Sequence, residues 1–362
     1  MSPHSGGIYC NNTQEILWGR TMDNTQNIGT HIKEKQTQIM VPKTWNQRIW
    51  RIKGKLDKAI GLFVSNAFFE KYRKIIRNEE RVLIKYERMA GKYIEFYRII
   101  QKDQTPKPVI FDNNPAYKSH WKTNTKRIET VAAIMSSLAG ENSFSLIEVG
   151  AGELTTLVPL LKRLEGQVSA SSALELAWSR LEVGKKFAKE ENITIDQYIK
   201  ASALKIPLPD NSIDIVFTSH CLEQIGKKSE QAISEMARIA RKYIIMVEPG
   251  LEFVDKYQQK INREAGRVEE IDKQIKQQGL DLIRHELFPY CNNIFNRATL
   301  YVIEISSSQS NEPDLRCPCC EQELNYVEQG GYLHCDSCKS LYPQIKEIPC
   351  LREEDAILAS AY

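Results

Sequence analysis

The chain has 362 residues, of which 42% are hydrophobic and 26% charged, a composition typical of a globular protein of two or three domains. No uncharged apolar run approaches the roughly 20 residues that a membrane-spanning helix needs, since the run Ala59–Phe69 ends at Glu70. The first 14 residues contain neither Lys nor Arg and no apolar core, so they lack the features of a secretory signal. We therefore expect a cytoplasmic protein without a transmembrane segment.

The net charge is only +3, but it is unevenly distributed along the chain. Residues 1–110 hold 20 Lys and Arg against 10 Asp and Glu, whereas residues 111–362 hold 29 against 36. The front third is therefore basic. Residues 1–40 have no apolar periodicity, and we expect them to form a mobile arm.

Residues 41–110 are predicted to form a basic helical module. Apolar residues recur every three or four positions between Trp45 and Lys102, which predicts two or three amphipathic helices. The prolines after Thr105 should end the last helix, because proline lacks an N–H donor and restricts the residue before it. The interleaved aromatic and basic residues could form a nucleic-acid or anionic-membrane surface. We favour the alternative that the aromatic side chains pack between helices, as a cap over an acceptor site or as a homodimer contact.

Short apolar strands alternate with amphipathic helices over residues 111–306, a pattern that predicts an α/β domain with a parallel, helix-covered sheet. The predicted strands are Leu146–Val149, Ala173–Leu176, Ile213–Thr218, Tyr243–Val247, Leu282–Phe288 and Leu300–Ile305. Residues 307–314 are predicted to be a polar linker. Residues 315–362 form a cysteine-rich tail that is too small to be held by an apolar core alone.

An acid and two glycines follow one another where the first of these strands should turn into a helix, in the segment Glu148-Val149-Gly150-Ala151-Gly152. Glycine at such a turn lets a ligand approach the backbone amides without a clash against a β-carbon. Glu175 ends the next predicted strand, where a βαβ unit places the acid that binds ribose hydroxyls. The two signals together predict a nucleotide-like site.

These residues resemble the class I S-adenosylmethionine (SAM)-dependent methyltransferases. The Glu148–Gly152 loop is similar to their first motif, Glu175 to their ribose-binding acid, and Ile206–Val216 to their fourth-strand signature. Two departures are Leu154, where many members have a third glycine, and Ser202, where the family often has an acid. The resemblance implies a Rossmann-like methyltransferase fold with SAM as cofactor. It also implies a set of donor-binding residues, namely Glu148, Gly150, Ala151, Gly152, Glu175, Leu176, Ser202, Ala203, Leu204, Ser219 and Tyr117.

Candidate catalytic residues follow the predicted strand Ile213–Thr218, at the sheet edge where open α/β folds bind ligands. Methyl transfer requires alignment of the acceptor and, where necessary, removal of its proton. His220 is the first candidate for the base and Glu223 the second. The alternative is that His220 is a hydrogen-bonded wall residue beside the donor.

Five of the nine cysteines lie within 22 residues of one another near the C-terminus. Cys317 and Cys320 are separated from Cys335 and Cys338 by 14 intervening residues, a spacing close to that of zinc ribbons, in which four thiolates bind one structural Zn²⁺. Cys319 could take the place of Cys320. A redox function is disfavoured because no thioredoxin-like strand precedes these pairs.

The tail, ending in Tyr342–Leu351, resembles the small zinc-ribbon proteins that activate methyltransferases of the translation machinery, here fused in cis. Together, Glu148–Leu157, Trp178–Arg180, Thr218–His220 and Ala356–Ser360 resemble a bacterial group of fused methyltransferases associated with surface-carbohydrate biosynthesis. This resemblance implies a small-molecule or glycan-type acceptor. Two alternatives are a methyltransferase of RNA or of a translation protein, and an inactive methyltransferase-fold scaffold whose ribbon binds a partner.

Overall fold

The computed structural model describes most of residues 78–358, with gaps at 255, 257–258, 261–269, 295 and 308. The predicted arm and the first part of the predicted helical module lie outside the described residues. The chain divides into two units, Met1–Leu56 and Asp57–Tyr362, and every described residue belongs to the second. Among the described residues, no helix combines the length and apolar character needed to span a membrane.

Two helices and a β-hairpin precede the main sheet. They are α1 (Asn78–Met89), α2 (Lys92–Lys102), β1 (Lys107–Phe111) and β2 (Asn114–Lys118). The second helix ends just before the prolines, and the side chain of Asp103 accepts a hydrogen bond from the Thr105 amide at 2.9 Å. Helix α3 (His120–Ala139) then begins at Ser119, whose hydroxyl accepts from the Lys122 amide at 3.2 Å, a typical N-cap.

The main sheet has seven strands in the order β5-β4-β3-β6-β7-β9-β8. Their bounds are β3 Phe144–Val149, β4 Val168–Glu175, β5 Gln197–Lys200, β6 Ile213–Ser219, β7 Ala240–Pro249, β8 Asp281–Leu287 and β9 Ala298–Glu304. All six predicted strands are present, and the predicted α/β class is confirmed. The sheet is mixed, however, because β9 runs antiparallel to both β7 and β8. Strand β5 was not predicted, since its four residues carry too short an apolar signal.

Helices cover both faces of the sheet. The intervening helices are α4 (Leu157–Arg163), α5 (Trp178–Glu190), α6 (Leu222–Ile225), α7 (Ser229–Ile239) and α8 (Ile271–Gln277). Leu146 belongs to the apolar core that includes α3, α4 and α5, whereas its neighbour Ile147 belongs to the core that includes α7 and α8. Because successive side chains of a strand point to opposite faces, a strand covered on both faces reads as a continuous apolar run.

The cysteine-rich tail forms a small antiparallel sheet that packs against the edge of the main one. Its strands are β10 (Asn325–Val327), β11 (Tyr332–His334), β12 (Ser340–Ile345), β13 (Ile348–Pro349) and β14 (Ile357–Leu358). The Leu351 amide donates to the carbonyl of Lys200 in β5 at 2.7 Å, and the Lys200 ammonium binds Asp355 at 2.6 Å. The tail thereby covers backbone groups that an edge strand would otherwise expose.

Candidate active site and metal centre

A cavity of about 720 Å³, measured with its open mouth, lies at the carboxyl ends of β3, β4, β5 and β6. Seven of the residues predicted from the sequence line it, namely Gly150, Glu175, Leu176, Ser202, Ala203, Leu204 and His220. Helix α1 contributes Glu79, Val82 and Tyr86 to the opposite wall. Part of the predicted donor set and His220, one of the two candidate catalytic residues, therefore lie at a single cavity, whereas Glu223 is not among its lining residues.

The other predicted site residues lie outside this lining. Glu148, Ala151 and Gly152 are buried behind it, and Ser219 is partly buried, with its hydroxyl accepting from Arg127 Nη2 at 3.5 Å. Tyr117 is 72% exposed, because it lies on the β1–β2 hairpin, where it pairs with Pro108. Contacts of these residues with a donor stay predictions.

The backbone amides of the glycine loop are already hydrogen-bonded within the protein. Gly150 and Ala151 both donate to the Leu174 carbonyl, at 2.8 and 2.9 Å, and Gly152 donates to Glu175 Oε2 at 2.9 Å. The sequence analysis expected these amides to face a ligand. They instead fix the loop against β4, so the loop is held in shape by the neighbouring strand.

The glycines are required for close packing as well as for backbone conformation. Both adopt positive φ, 77° at Gly150 and 58° at Gly152, a region that favours glycine. A β-carbon at Gly150 would lie 2.5 Å from Cys221 Sγ, and one at Gly152 would lie 2.3 Å from Arg180 Nη2. Side chains at either position would therefore displace residues that line the cavity.

Leu154, which replaces the third glycine of the family pattern, has a packing role. It is fully buried, with φ of 60°, and a β-carbon on Gly184 of α5 would lie 2.5 Å from its Cγ. The close approach of loop and helix is therefore made by Leu154 on the loop and by a glycine on α5. This departure leaves the cavity wall intact.

Glu175 keeps acceptor capacity for a ligand although both of its oxygens are hydrogen-bonded. Oε2 accepts from the Gly152 amide, and Oε1 accepts from the Ala177 amide at 3.0 Å. Arg180 Nη1 lies 3.5 Å from Oε2. Because an ionised carboxylate has about four acceptor positions, the side chain can bind further donors such as sugar hydroxyls.

Arg180 is a cavity residue that the sequence analysis missed. Its guanidinium is stacked on the rings of Tyr86 and Tyr93, with 4.7 and 4.6 Å to the two centroids, and it is buried. Such cation–π contacts are strongest where water is excluded. Burial is the largest influence on both tyrosines, and it raises the pKa of Tyr86 and of Tyr93. Both rings therefore carry neutral hydroxyls. Arg180 therefore joins α1 and the start of α2 to the donor side of the cavity.

Glu153, the residue after the glycine loop, fixes the second helix. It is fully buried, and its two oxygens accept from the Gly91 and Ile94 amides at 3.0 and 2.8 Å, at the start of α2. A carboxylate satisfies the unpaired amides of a helix N-terminus and interacts favourably with the helix dipole. Glu153 therefore connects the glycine loop directly to the start of α2.

Two buried acids lie close to the ends of the strands. Burial raises the pKa of Glu148 well above its usual value, and Glu148 Oε2 has no hydrogen-bond partner among the described residues. Burial also raises the pKa of Glu248 to about 8, against hydrogen bonds from Cys221, Thr218 and Leu222 that lower it. These acids are poised to respond to a positively charged ligand, because a nearby cation favours the ionised carboxylate.

His220 and Glu223, weighed above as alternatives, form a pair. Glu223 Oε1 lies 3.3 Å from His220 Nδ1, and Glu223 Oε2 accepts from Asn296 Nδ2 at 3.4 Å. His220 has a φ of 56°, and for a residue other than glycine such a conformation is often found at functional sites. A carboxylate at Nδ1 favours the tautomer with the proton on Nδ1, which leaves Nε2 as an acceptor.

The tail brings together the four cysteines predicted as metal ligands. The sulfur atoms of Cys317, Cys320, Cys335 and Cys338 all lie within 4.8 Å of one another, with 3.5 Å between Cys317 and Cys338 and 3.4 Å between Cys320 and Cys335. Zinc–sulfur bonds of about 2.3 Å in a tetrahedron place the sulfur atoms about 3.8 Å apart. The cluster therefore fits one tetrahedral Zn²⁺. Cys319 is exposed and accepts from the Tyr342 hydroxyl at 3.1 Å.

Residues 147–246 match the family model described as a methyltransferase domain. The match spans β3 to β7 and includes the walls of the cavity from Gly150 to His220. The chain therefore contains a methyltransferase domain, as the sequence predicts. None of the curated proteins matches the chain.

Solved methyltransferase structures resemble the chain in outline. Magnesium protoporphyrin IX methyltransferase from Synechocystis PCC 6803 with bound SAM is 12% identical, at a TM-score of 0.45, over 64% of this chain and 98% of that one. A SAM-dependent methyltransferase from Leishmania major is 16% identical, at 0.42, over 51% and 74%. A chain of the complex between the Haloferax volcanii Trm112 methyltransferase activator and a methyltransferase is 12% identical, at 0.40, over 53% and 96%.

Proposed function

We propose that the methyltransferase domain at residues 147–246 transfers a methyl group from SAM to a small-molecule or glycan-type acceptor. One observation carries the proposal: Gly150, Glu175 and His220 line a single cavity at the carboxyl ends of the strands. Open α/β sheets bind their ligands at that edge.

The residues around the cavity fit the donor. SAM supplies an electrophilic methyl group on a positively charged sulfur. Glu175 would accept hydrogen bonds from the ribose hydroxyls, and Ser202 to Leu204 would form the wall beside the base. The Ser202 hydroxyl itself accepts from the Leu204 amide at 3.0 Å, so it shapes this wall. Glu148, buried with one unpartnered oxygen, would stabilise the positive charge.

His220 would act as the general base. As the acceptor atom forms its bond to the methyl carbon, the carbon–sulfur bond breaks in line with it and S-adenosylhomocysteine (SAH) is left. The acceptor proton would pass to His220 Nε2, with Glu223 holding the ring through Nδ1. Glu223 is in this proposal a positioning residue, since it acts through His220.

Calorimetric titration with SAH tests the donor site. We expect binding by the wild type and a loss of about tenfold or more in Glu175→Ala, because hydrogen bonds to a charged group contribute about 1.5–3 kcal/mol. Glu190→Ala is the matched control, since Glu190 lies at the end of α5 with an exposed side chain. Absence of SAH binding by the folded wild type would exclude the proposal.

Methyl transfer from labelled SAM to components of a cell extract tests the base. We expect His220→Gln to lower the rate by about 10²–10⁴-fold, the usual contribution of a general base, without weakening SAH binding. Glu223→Gln should have a smaller effect on rate. An equal rate in His220→Gln and wild type would leave His220 as a wall residue only.

Methylation of RNA or of a translation protein is the second candidate. It is favoured by the ribbon, whose Leu351, Tyr342 and two cysteines share an apolar core with the sheet. This candidate predicts that RNA is retained by the full chain at low salt and released as salt rises, because phosphate contacts release counterions. No retention would count against it. Any conversion of labelled SAM by the purified chain would exclude the inactive scaffold.

A further inference from the structure

Two arginines, Arg127 and Arg297, belong to segments that contact Ser219 and Glu223, next to or within the His220–Glu223 pair. Arg127 comes from α3 and donates to the hydroxyl of Ser219, the residue before His220, at 3.5 Å. Arg297 directly follows Asn296, whose side chain donates to Glu223. Arg127 therefore reaches the segment that carries His220, and Arg297 follows a residue that holds Glu223. Neither arginine is among the residues that line the donor cavity with Glu175 and Ser202.

Among the described residues, few of the hydrogen-bond donors on these arginines have a partner. A guanidinium carries five N–H donors. Arg127 donates to Ser219 Oγ, and Arg297 donates from Nη2 to Asn113 Oδ1 at 2.9 Å. Arg297 Nε is buried without a hydrogen-bond partner among the described residues. A buried charged donor without a partner is costly, which indicates a ligand that completes the site.

No carboxylate among the described residues balances either charge. Neither Arg127 nor Arg297 forms an ion pair there, unlike Arg238, which binds Asp210 and Glu235. Burial lowers the pKa of both arginines, and Cys291 is the one group that opposes this effect.

Cys291 connects the two arginines but does not neutralise them. Both guanidinium groups act on its thiol, yet burial raises the pKa of Cys291 above its usual value. The thiol is thus protonated near neutral pH, and it contacts the Asn293 carbonyl at 2.9 Å. The Glu223 carboxylate is engaged by His220 and Asn296, and among the described residues neither arginine pairs with it or with another acid. Both arginines are partly buried.

We propose that Arg127 and Arg297 bind an oxyanion of the methyl acceptor, a phosphate or a carboxylate group, and so orient the acceptor toward His220. This inference rests on the proposed methyltransferase function, and it adds the chemical class of the acceptor. Guanidinium groups bind such oxyanions through paired, charge-assisted hydrogen bonds. Binding remote from the reacting atom would also align the acceptor for in-line attack.

Anion titration of the full chain, with and without saturating SAH, tests the site. Inorganic phosphate and acetate are the probes, each against chloride at constant ionic strength, so that the two arms separate a phosphate from a carboxylate site. We expect calorimetric binding of at least one of them, reduced about tenfold or more in Arg127→Gln and in Arg297→Gln. Arg163→Gln is the control, since Arg163 is an exposed residue that pairs with Glu129.

The outcomes separate this inference from the function on which it rests. Retained SAH binding with no anion binding, or anion binding that is equal in the wild type and both arginine variants, overturns the inference alone. Absence of SAH binding by the folded wild type overturns the proposed function. A second readout is the charge of the labelled product formed from a cell extract and labelled SAM. Retention of this product on an anion-exchange resin supports the inference. A neutral product overturns it.

Discussion

The seven-stranded sheet and the cysteine ribbon are folded by different forces. The sheet has a covered apolar core on each face, in which Leu146 and Ile147 are both fully buried. The ribbon strands have two to six residues, and the ribbon contributes few apolar residues to the core that it shares with the sheet. A segment of this size needs a metal or a neighbouring surface to stay folded. The ribbon has both, four cysteines that fit Zn²⁺ and the edge of β5.

This difference means that the two regions should fail for different reasons. Removing a ligand should unfold the ribbon and leave the sheet intact, whereas removing apolar volume should weaken the sheet and leave the metal bound. A substitution in the ribbon where it contacts α1 should have only a small effect on SAH binding. The following predictions address these cases in order of decreasing effect.

The Cys335→Ser variant should lose zinc. Cys335 is fully buried among the other three sulfur atoms, and a hydroxyl is a poor replacement for a thiolate ligand. Because metal binding supplies about 10–16 kcal/mol in small zinc domains, we expect the ribbon to unfold locally. Metal analysis should give far less than one zinc per chain.

Cys319→Ser is the matched control, because Cys319 lies outside the four-cysteine cluster and is exposed. It should keep one zinc per chain. Stoichiometric zinc in Cys335→Ser, or its loss in Cys319→Ser, would show that the ligand set is wrong.

The Leu146→Ala variant should destabilise the sheet without releasing zinc. Leu146 is fully buried in the core formed with α3 and α4, and such a truncation costs about 2–5 kcal/mol. Thermal unfolding should show a lower Tm, while zinc stays at one per chain below the transition. Ile345→Ala, at a 45% exposed position of the ribbon, should change Tm little.

The Asp214→Asn variant should lose stability that depends on pH. Burial raises the pKa of Asp214, but hydrogen bonds from Arg241, Ser145 and Lys242 outweigh it and lower the pKa to about 2. A lowered pKa stabilises the fold above the unfolded-state value of about 3.9, and this contribution is lost as pH falls toward 2.

The loss expected for Asp214→Asn at pH 7 is therefore about 2 kcal/mol. Urea unfolding at pH 7, 4 and 3 should show the difference from wild type shrinking as the solution becomes more acidic. Asp210→Asn, at an exposed ion pair with Arg238, should change stability by less than about 1 kcal/mol. A difference from wild type that stays constant with pH would contradict the assigned role of Asp214.

The Arg352→Met variant should weaken SAH binding by a few fold. Buried Arg352 binds Glu80 of α1 at 2.6 Å and Glu354 at 3.2 Å, and α1 lines the cavity with Glu79, Val82 and Tyr86. The effect should be small because Arg180 still contacts α1 through Tyr86 and Glu153 still holds the start of α2.

A double variant with Glu80→Gln separates this coupling from general damage to the ribbon. The two substitutions should be less than additive, since they remove the same ion pair. Calorimetric titration with SAH measures the effect, and additive losses would show that Arg352 acts through other contacts.

Much of the fold could be predicted from local sequence patterns. The six predicted strands form because runs such as Leu146–Val149 and Ile213–Thr218 are apolar and short, and this signal does not depend on distant residues. The cysteine cluster was likewise predictable from spacing. Strand β5 was not, since its place at the sheet edge is made by pairing with β4 and by the ribbon.

The site was predictable only where a motif is contiguous. Gly150, Glu175 and His220 lie in or next to recognisable segments, and all three line the cavity. Arg180 also lies in a segment quoted for the resemblance, but its role depends on Tyr86 and Tyr93. No local pattern relates these residues, because the rings that flank the guanidinium come from helices 94 and 87 residues earlier in the chain.

The sequence by itself determined the methyltransferase domain, six of its strands and the four cysteines that fit zinc, because each depends on a pattern or spacing within a short segment. Only the tertiary structure decided that Glu153 caps α2, that Glu223 pairs with His220, and that Arg127 contacts Ser219 beside His220. Such contacts depend on long-range packing and on which charges are removed from water together, and neither is encoded in local periodicity.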